Sequence, residues 1–282
     1  MKNFALPLIT CLAFTGCATT KISEESRQKL NQTQAAIQVK PVAIFVNSCL
    51  LTNELGKDLV LNEPTKLTSE KFIQTFTQQL NQHNVTVSAS ATPFICGSMP
   101  EEQLKKYEFQ AERNSKRAPI TTYPLLNKNN NMSDDERVAA LTLTQFITKT
   151  DAVNLANLQN KNSQVDMPQL DEKTVKTLRE WANSNYIFWV TLDGMNASLG
   201  NKFAMGTLSL GVTLATMGAG AGIVTAYMPK EGQHYSVRLL DLDKQSFEWH
   251  KADLLKGRIY STNNHTLQAD QILNPLFETK VN

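Results

Sequence analysis

The chain has little of what metal and nucleophile chemistry needs. It holds four cysteines, four histidines and three tryptophans in 282 residues. No Cys/His spacing fits a zinc site. His83, His234, His250 and His265 are scattered, and each reads as a surface or strand residue rather than a ligand. There is no Gly-x-Ser-x-Gly elbow and no His-Glu-x-x-His pair, which removes the serine-hydrolase and zincin readings. An excess of charge of one sign is missing too, since 28 Lys and Arg face 26 Asp and Glu. A near-neutral chain without a basic stripe and interleaved aromatics has no field to recruit nucleic acid. The sequence therefore points to no catalytic residue, no metal and no cofactor.

What is present starts at the amino terminus. Lys2 supplies a positive start, residues 4–14 are apolar apart from Pro7 and Thr10, and Thr15, Gly16 and Cys17 follow. A bilayer span takes about 20 apolar residues, so this run is too short for one and fits a secretory leader, residues 1–16. Phe14-Thr15-Gly16-Cys17 resembles the lipobox of bacterial lipoproteins, which implies acylation of Cys17. Two other readings stay open: an ordinary leader with Cys17 incidental, and Cys11 as the modified residue. Acyl chains contribute about 0.8 kcal/mol per buried CH₂, enough for a stable anchor. Ala18 resembles the residue after the cysteine in lipoproteins sent to the outer membrane of a Gram-negative cell, because Asp there favours inner-membrane retention. Cleavage removes only Lys2 among the charges and leaves 27 basic against 26 acidic residues.

Two cysteines lie in the leader and its box. Cys49 and Cys96 remain, in an oxidising compartment. A disulfide is the natural reading; it closes a loop of about 48 residues and is worth about 4 kcal/mol by loop entropy. Two buried free thiols are the other reading.

Residues 17–40 are polar and read as a lipidated start and a tether, helical in part over 24–37, that spaces a domain from the membrane. Residues 41–46 are nearly all apolar, as in a buried central strand, and Asn47-Ser48-Cys49 ends it. Residues 50–67 read as a loop, with edge structure as an open option. Thr68 or Ser69 caps a helix whose Phe72, Ile73, Phe76 and Leu80 share one face. Residues 85–87 form the next strand. Residues 99–170 read as a mainly helical insertion, with one helix from Pro100 to Glu112 and another starting at Ser133, where Asp134, Asp135 and Glu136 sit on the positive end of the dipole.

Residues 174–183 form an amphipathic helix through Val175, Leu178 and Trp181 or Ala182. Residues 186–192 are the most strand-like run and read as central, with Trp189 in the core. Residues 203–228 carry no charge and are rich in Gly, Ala, Thr and Leu. As a helix of about 24 residues they would reach about 36 Å, longer than a membrane core. Three readings stay open: packing against the sheet, insertion into a membrane or an oligomer, and a constitutive transmembrane helix. Residues 234–240 alternate, and Phe247 and Trp249 share a face of the returning strand of a hairpin. Residues 267–277 read as a terminal helix or a frayed segment. The expected fold is a single α/β domain over residues 41–282, with α+β as the other option, built on a mixed sheet with flanking helices.

The box at Cys17, the strand at 41–46 with the helix and strand after it, the strand at 186–192, the uncharged Gly-rich stretch and the hairpin from Val237 to Trp249 together resemble bacterial lipoproteins with a TolB-N-terminal-like domain. The curli-secretion lipoprotein and the lipoprotein activators of penicillin-binding proteins are relatives in that group. The resemblance implies a lipid-anchored, periplasm-facing outer-membrane protein and transfers no functional residue beyond Cys17.

For an enzyme, Asp193, Asp241, Asp243 and Glu248 near strand ends could supply a carboxylate pair. As turn and surface residues they need no such role, and the expectation is no catalysis. The favoured reading is a binding, assembly or regulatory module, held to the membrane by its lipid and meeting an envelope protein partner. The alternative is an oligomeric secretion or pore subunit that uses residues 203–228, so a homo-oligomer stays open. No nucleic-acid partner is expected.

Overall fold

This computed structural model describes residues 24–54, 57–112, 115–127, 130–159, 166–197 and 232–277. Its central strand is β1 (Val42–Glu54), thirteen residues long. Along one side β1 runs parallel to β8 (Tyr186–Ala197), in register from Val42 opposite Tyr186 to Asn53 opposite Ala197. Its other side is shared by three shorter strands. Parallel β3 (Val87–Ala91) covers Val42 to Phe45, parallel β4 (Phe94–Ile95) meets Ser48, and antiparallel β2 (Lys57–Leu61) covers Leu51 to Glu54. Beyond β8 lie antiparallel β9 (Gly232–Asp241) and β10 (Ser246–Leu254). Beyond β2 lie β5 (Glu108–Gln110) and β6 (Ala118–Pro119), and β7 (Leu125–Leu126) pairs with β4. Among the described residues the result is a mixed ten-stranded sheet.

Both faces are covered by helices, which is why residues 42–46 are apolar without a break. On one face α2 (Asn62–Gln82) and α6 (His265–Phe277) bring Phe72, Phe76, Leu80, Ile272 and Leu273 onto Ile44, Val46, Phe188, Val190 and Val237. On the other, α4 (Asp134–Gln159) and α5 (Glu172–Ala182) bring Leu143, Phe146 and Leu178 onto Ala43, Phe45, Ile187 and Trp189. The alternation of strand side chains decides which residue joins which layer. Phe45 stacks on Trp181 at 4.3 Å and packs against Trp189 at 5.3 Å. Trp189 is a core residue, 2% exposed.

Several helix ends follow their sequence signals. Ser133 and Glu136 form a reciprocal capping box: the Ser133 N–H donates to Glu136 Oε2 at 2.7 Å, and the Glu136 N–H to Ser133 Oγ at 3.3 Å. Asp171 caps α5 by accepting from the Thr174 N–H at 2.9 Å, and Asn183 closes it in the left-handed conformation, φ 44°.

Other boundaries differ from the sequence reading. Asn47 and Ser48 do not end β1, because their backbone continues in register with Thr191 and Leu192. Residues 50–67 hold strand structure, the option left open, and helix as well, which was not expected. They hold the end of β1, then β2, then the start of α2, seven residues ahead of Ser69. Pro64 sits in the first turn of α2, where its missing N–H costs no hydrogen bond. The helix expected from Pro100 to Glu112 stops as α3 (Glu101–Leu104), and β5 follows. His265 is neither a surface nor a strand residue: it begins α6 fully buried, with its Nε2 2.8 Å from the Ile259 carbonyl.

The largest correction concerns the tether. α1 (Glu24–Val39) is docked on the domain. Its Thr33 and Ile37 are buried, Gln34 donates to the Leu276 carbonyl, and Gln38 donates to the His83 carbonyl at 3.0 Å. The leader, Cys11, Cys17 and residues 203–228 lie outside the described residues. Among the described residues no helix is long and apolar enough to cross a membrane.

Replacing Phe45 with Ala removes a fully buried ring that two tryptophans pack against. The expected loss is about 3–5 kcal/mol. Urea unfolding should show it as a lower midpoint at unchanged slope.

Candidate functional site

Three places in the fold carry chemistry beyond packing. The first is the disulfide. Cys49 in β1 and Cys96 just after β4 are bonded, with Cα atoms 4.3 Å apart. Both are fully buried in a small cluster with Leu51, Val60, Met99, Leu104, Ile120 and Leu125. Cys96 has φ 53°, a left-handed turn that brings its side chain back to β1. Gly97 next to it leaves no room for a side chain, since a Cβ there would lie 2.7 Å from that of Phe94. The bond ties the short-stranded lobe to the middle of the longest strand.

The second is a polar row on the sheet face that α4 and α5 cover at its other end. The paired positions run Phe45–Trp189–Arg238, then Asn47–Thr191–Ser236, then Cys49–Asp193–His234. The face thus turns from apolar to polar toward the carboxyl ends of β1 and β8. Strand order reverses around β1, with β3 and β8 on opposite sides, and open α/β sheets keep their crevices at such a point.

Arg238 is 5% exposed and pairs with Asp151 of α4 at 2.5 Å, while also donating to Ser236 Oγ at 2.8 Å. Burial raises the Asp151 carboxyl, and the adjacent guanidinium pulls the other way. Asn47 is fully buried, and neither end of its amide has a partner among the described residues. Asp193 Oδ1 is likewise buried without a partner there. Burial pushes the Asp193 carboxyl from 3.8 up to about 7. Its cross-strand neighbour His234 is held below the ordinary imidazole value by burial, against the pull of Asp253. The row therefore stores a proton near neutral pH. Among the described residues no group of three His, Cys, Asp or Glu side chains is placed to hold a metal ion.

The third is a groove of about 710 Å³ between the first turns of α2, the β5–β6 lobe and the loop after β10. Leu61, Pro64, Leu67 and Tyr260 give it apolar walls, with Lys66, Glu70 and Arg117 among them.

The four acidic residues singled out in the sequence do not come together. Asp193 lies in the carboxyl half of β8, and Asp241, Asp243 and Glu248 surround the β9–β10 turn beside the start of that strand. There Asp241 accepts the N–H groups of Asp243 and Lys244, Lys244 bridges Asp241 and Glu248, and Arg179 holds Asp243 at 2.5 Å. Those three shape a turn. Sequence reasoning missed Asn47, Asp151 and Arg238. The available signal was a cation at position 238 amid alternating Val237 and Leu239, where solvent exposure is the usual expectation.

No protein-family model matches the chain, and no curated protein matches it. Among solved structures, the LpoB C-terminal domain from Salmonella enterica matches at 8% identity and TM-score 0.25, covering 82% of this chain and 96% of that one. A TM-score of 0.25 is too low for the likeness to bear on function.

Two outcomes are expected from these sites. The Cys49→Ala/Cys96→Ala double variant should lose about 4 kcal/mol in denaturant titration, from the released loop. For Asp193 the folded state binds the proton more tightly than the unfolded chain, whose carboxyl titrates near 3.8. Stability therefore falls as pH rises from about 4 to about 7 and levels off above. Between pH 5 and 8 the loss is about 3 kcal/mol at 1.4 kcal/mol per unit. Asp193→Asn should flatten that slope and exceed the wild type in urea midpoint at pH 8. Equal slopes in the two proteins would refute the assignment.

Proposed function

We propose that this chain is a lipid-anchored envelope protein, facing the periplasm, that works as a binding, assembly or regulatory module for an envelope protein partner. The observation that carries this reading is the Cys49–Cys96 bond, closed inside a fully buried cluster. Disulfides persist in oxidising compartments, and the leader with its box at Cys17 supplies a route to one. The sequence resemblance to TolB-N-terminal-like lipoproteins supports the same reading. Ala18 supports the outer membrane as the place of anchoring.

The docking of α1 sharpens the picture of the anchor. Only six residues lie between Cys17 and Glu24, and the seven Cα–Cα steps reach about 25 Å at most. In this reading the domain is held close to the membrane that carries the lipid, and its partner is met there.

The test is the mass of the N-terminal peptide after expression in a Gram-negative host. A peptide starting at Cys17 with diacylglycerol and a third acyl chain is expected. Cys17→Ala should abolish acylation and release the protein from the membrane fraction. Unacylated protein, or cleavage elsewhere, would overturn the anchoring.

A further inference from the structure

α1 is embedded less deeply than the helices beside it. Two of its sixteen residues are buried, Thr33 and Ile37, against eight of twenty-one in α2 and six of thirteen in α6. With the partly buried Leu30 they make one narrow stripe, spaced three and four residues apart, and α1 lies against α6 and β10. Two side-chain amides add polar contacts, Gln34 to the Leu276 carbonyl and Gln38 to the His83 carbonyl. Among the described residues no salt bridge joins α1 to another element. Arg27 pairs within the helix, with Glu24 at 4.0 Å, and Lys29 lies near His250 of β10, a group it repels whenever the imidazole is charged.

Away from the domain α1 has little to keep it helical. Four of its residues are glutamines, and it has no continuous apolar run. An isolated helix of about this length is marginal in water even when rich in alanine. Docking therefore supplies its order, and leaving the surface and unwinding are one step. That step has a defined limit. Lys40 closes the last turn by donating its N–H to the Ala36 carbonyl at 3.0 Å. Beyond it the chain is fixed to the sheet: Ser184 Oγ donates to the Pro41 carbonyl, and the Val42 N–H donates to the Thr86 carbonyl at 2.9 Å. The sheet face beneath keeps α2 and α6 as its cover.

We infer that α1 is a releasable strap, which leaves α6 and β10 as a unit while the sheet stays folded. The consequence of release deepens the anchored reading and rests on it. With α1 docked, the chain from Cys17 reaches about 25 Å; with α1 unwound, the 24 steps from Cys17 to Pro41 span about 80 Å. The strap thus sets how far from its anchor the domain can meet a partner.

Hydrogen exchange of the full chain in mild detergent, read by mass spectrometry at increasing urea below the unfolding transition, tests release whether or not Cys17 is acylated. Peptides within residues 24–39 should share one protection level, about a hundred-fold or more below that of residues 42–54 and 186–197. Their response to urea should be shallower, because denaturant dependence scales with the surface exposed. Ile37→Asp should bring residues 24–39 to the exchange rate of free chain and leave both strands within about two-fold of the wild type. The milder Gln34→Ala/Gln38→Ala variant, which keeps Ile37, should speed exchange of residues 24–39 about ten-fold. Residues 24–39 exchanging in step with the strands at every urea concentration would overturn the proposal. Loss of strand protection in Ile37→Asp would overturn it too, since α1 would then belong to the same folding unit as the core. Failure of the anchoring reading would appear separately, in the mass of the N-terminal peptide.

Discussion

The structure depends on the parallel pairing of β1 with β8, twelve consecutive positions from Val42 opposite Tyr186 to Asn53 opposite Ala197. A parallel pair needs both faces covered, because each strand carries apolar side chains up and down. That requirement draws α2 and α6 onto one face and α4 and α5 onto the other. It also leaves the second side of β1 long enough for β3, β4 and β2 to share in turn. The disulfide fastens this shared side: β4 pairs with β1 at a single position, and Cys96 adjoins it.

The same long pairing carries polar residues into the interior. Asn47, Asp193 and Arg238 would be costly in a core, since an unpaired buried polar group costs about 1–3 kcal/mol. Arg238 offsets its burial with Asp151 and Ser236, and Asp193 does so by holding a proton. A buried ion pair of this kind adds little net stability, but removing one partner strands the other. The pair joins α4 to β9, and so fixes one helix of the outer layer to the sheet by charge as well as by packing.

In the proposed reading the docking of α1 bears on how the domain would sit at a membrane. α1 is held through Gln34, Gln38 and Ile37, and its Lys29 lies close enough to His250 of β10 to help depress that imidazole, after burial and Arg238. A chain tied down this early leaves a short leash.

The sequence by itself determined the elements with strong local signals. Residues 42–46 and 186–192 read as central strands because they are apolar without interruption, and the Ser133–Glu136 box starts α4 through bonds three residues apart. The layer pattern of an α/β domain followed from those runs. Tertiary structure alone decided the rest. Asn47 and Ser48 look like a strand end, and only pairing with β8 keeps them extended. Leu61 offers α2 no side-chain cap, so packing of Phe72 and Phe76 and the first-turn Pro64 set its start instead. α1 is too polar to read as a docked helix, and long-range bonds from Gln34 and Gln38 hold it. The row at Asn47, Asp193 and Arg238 was illegible for the same reason: Asn47 stands more than 140 residues before the other two, and register across three strands brings them together.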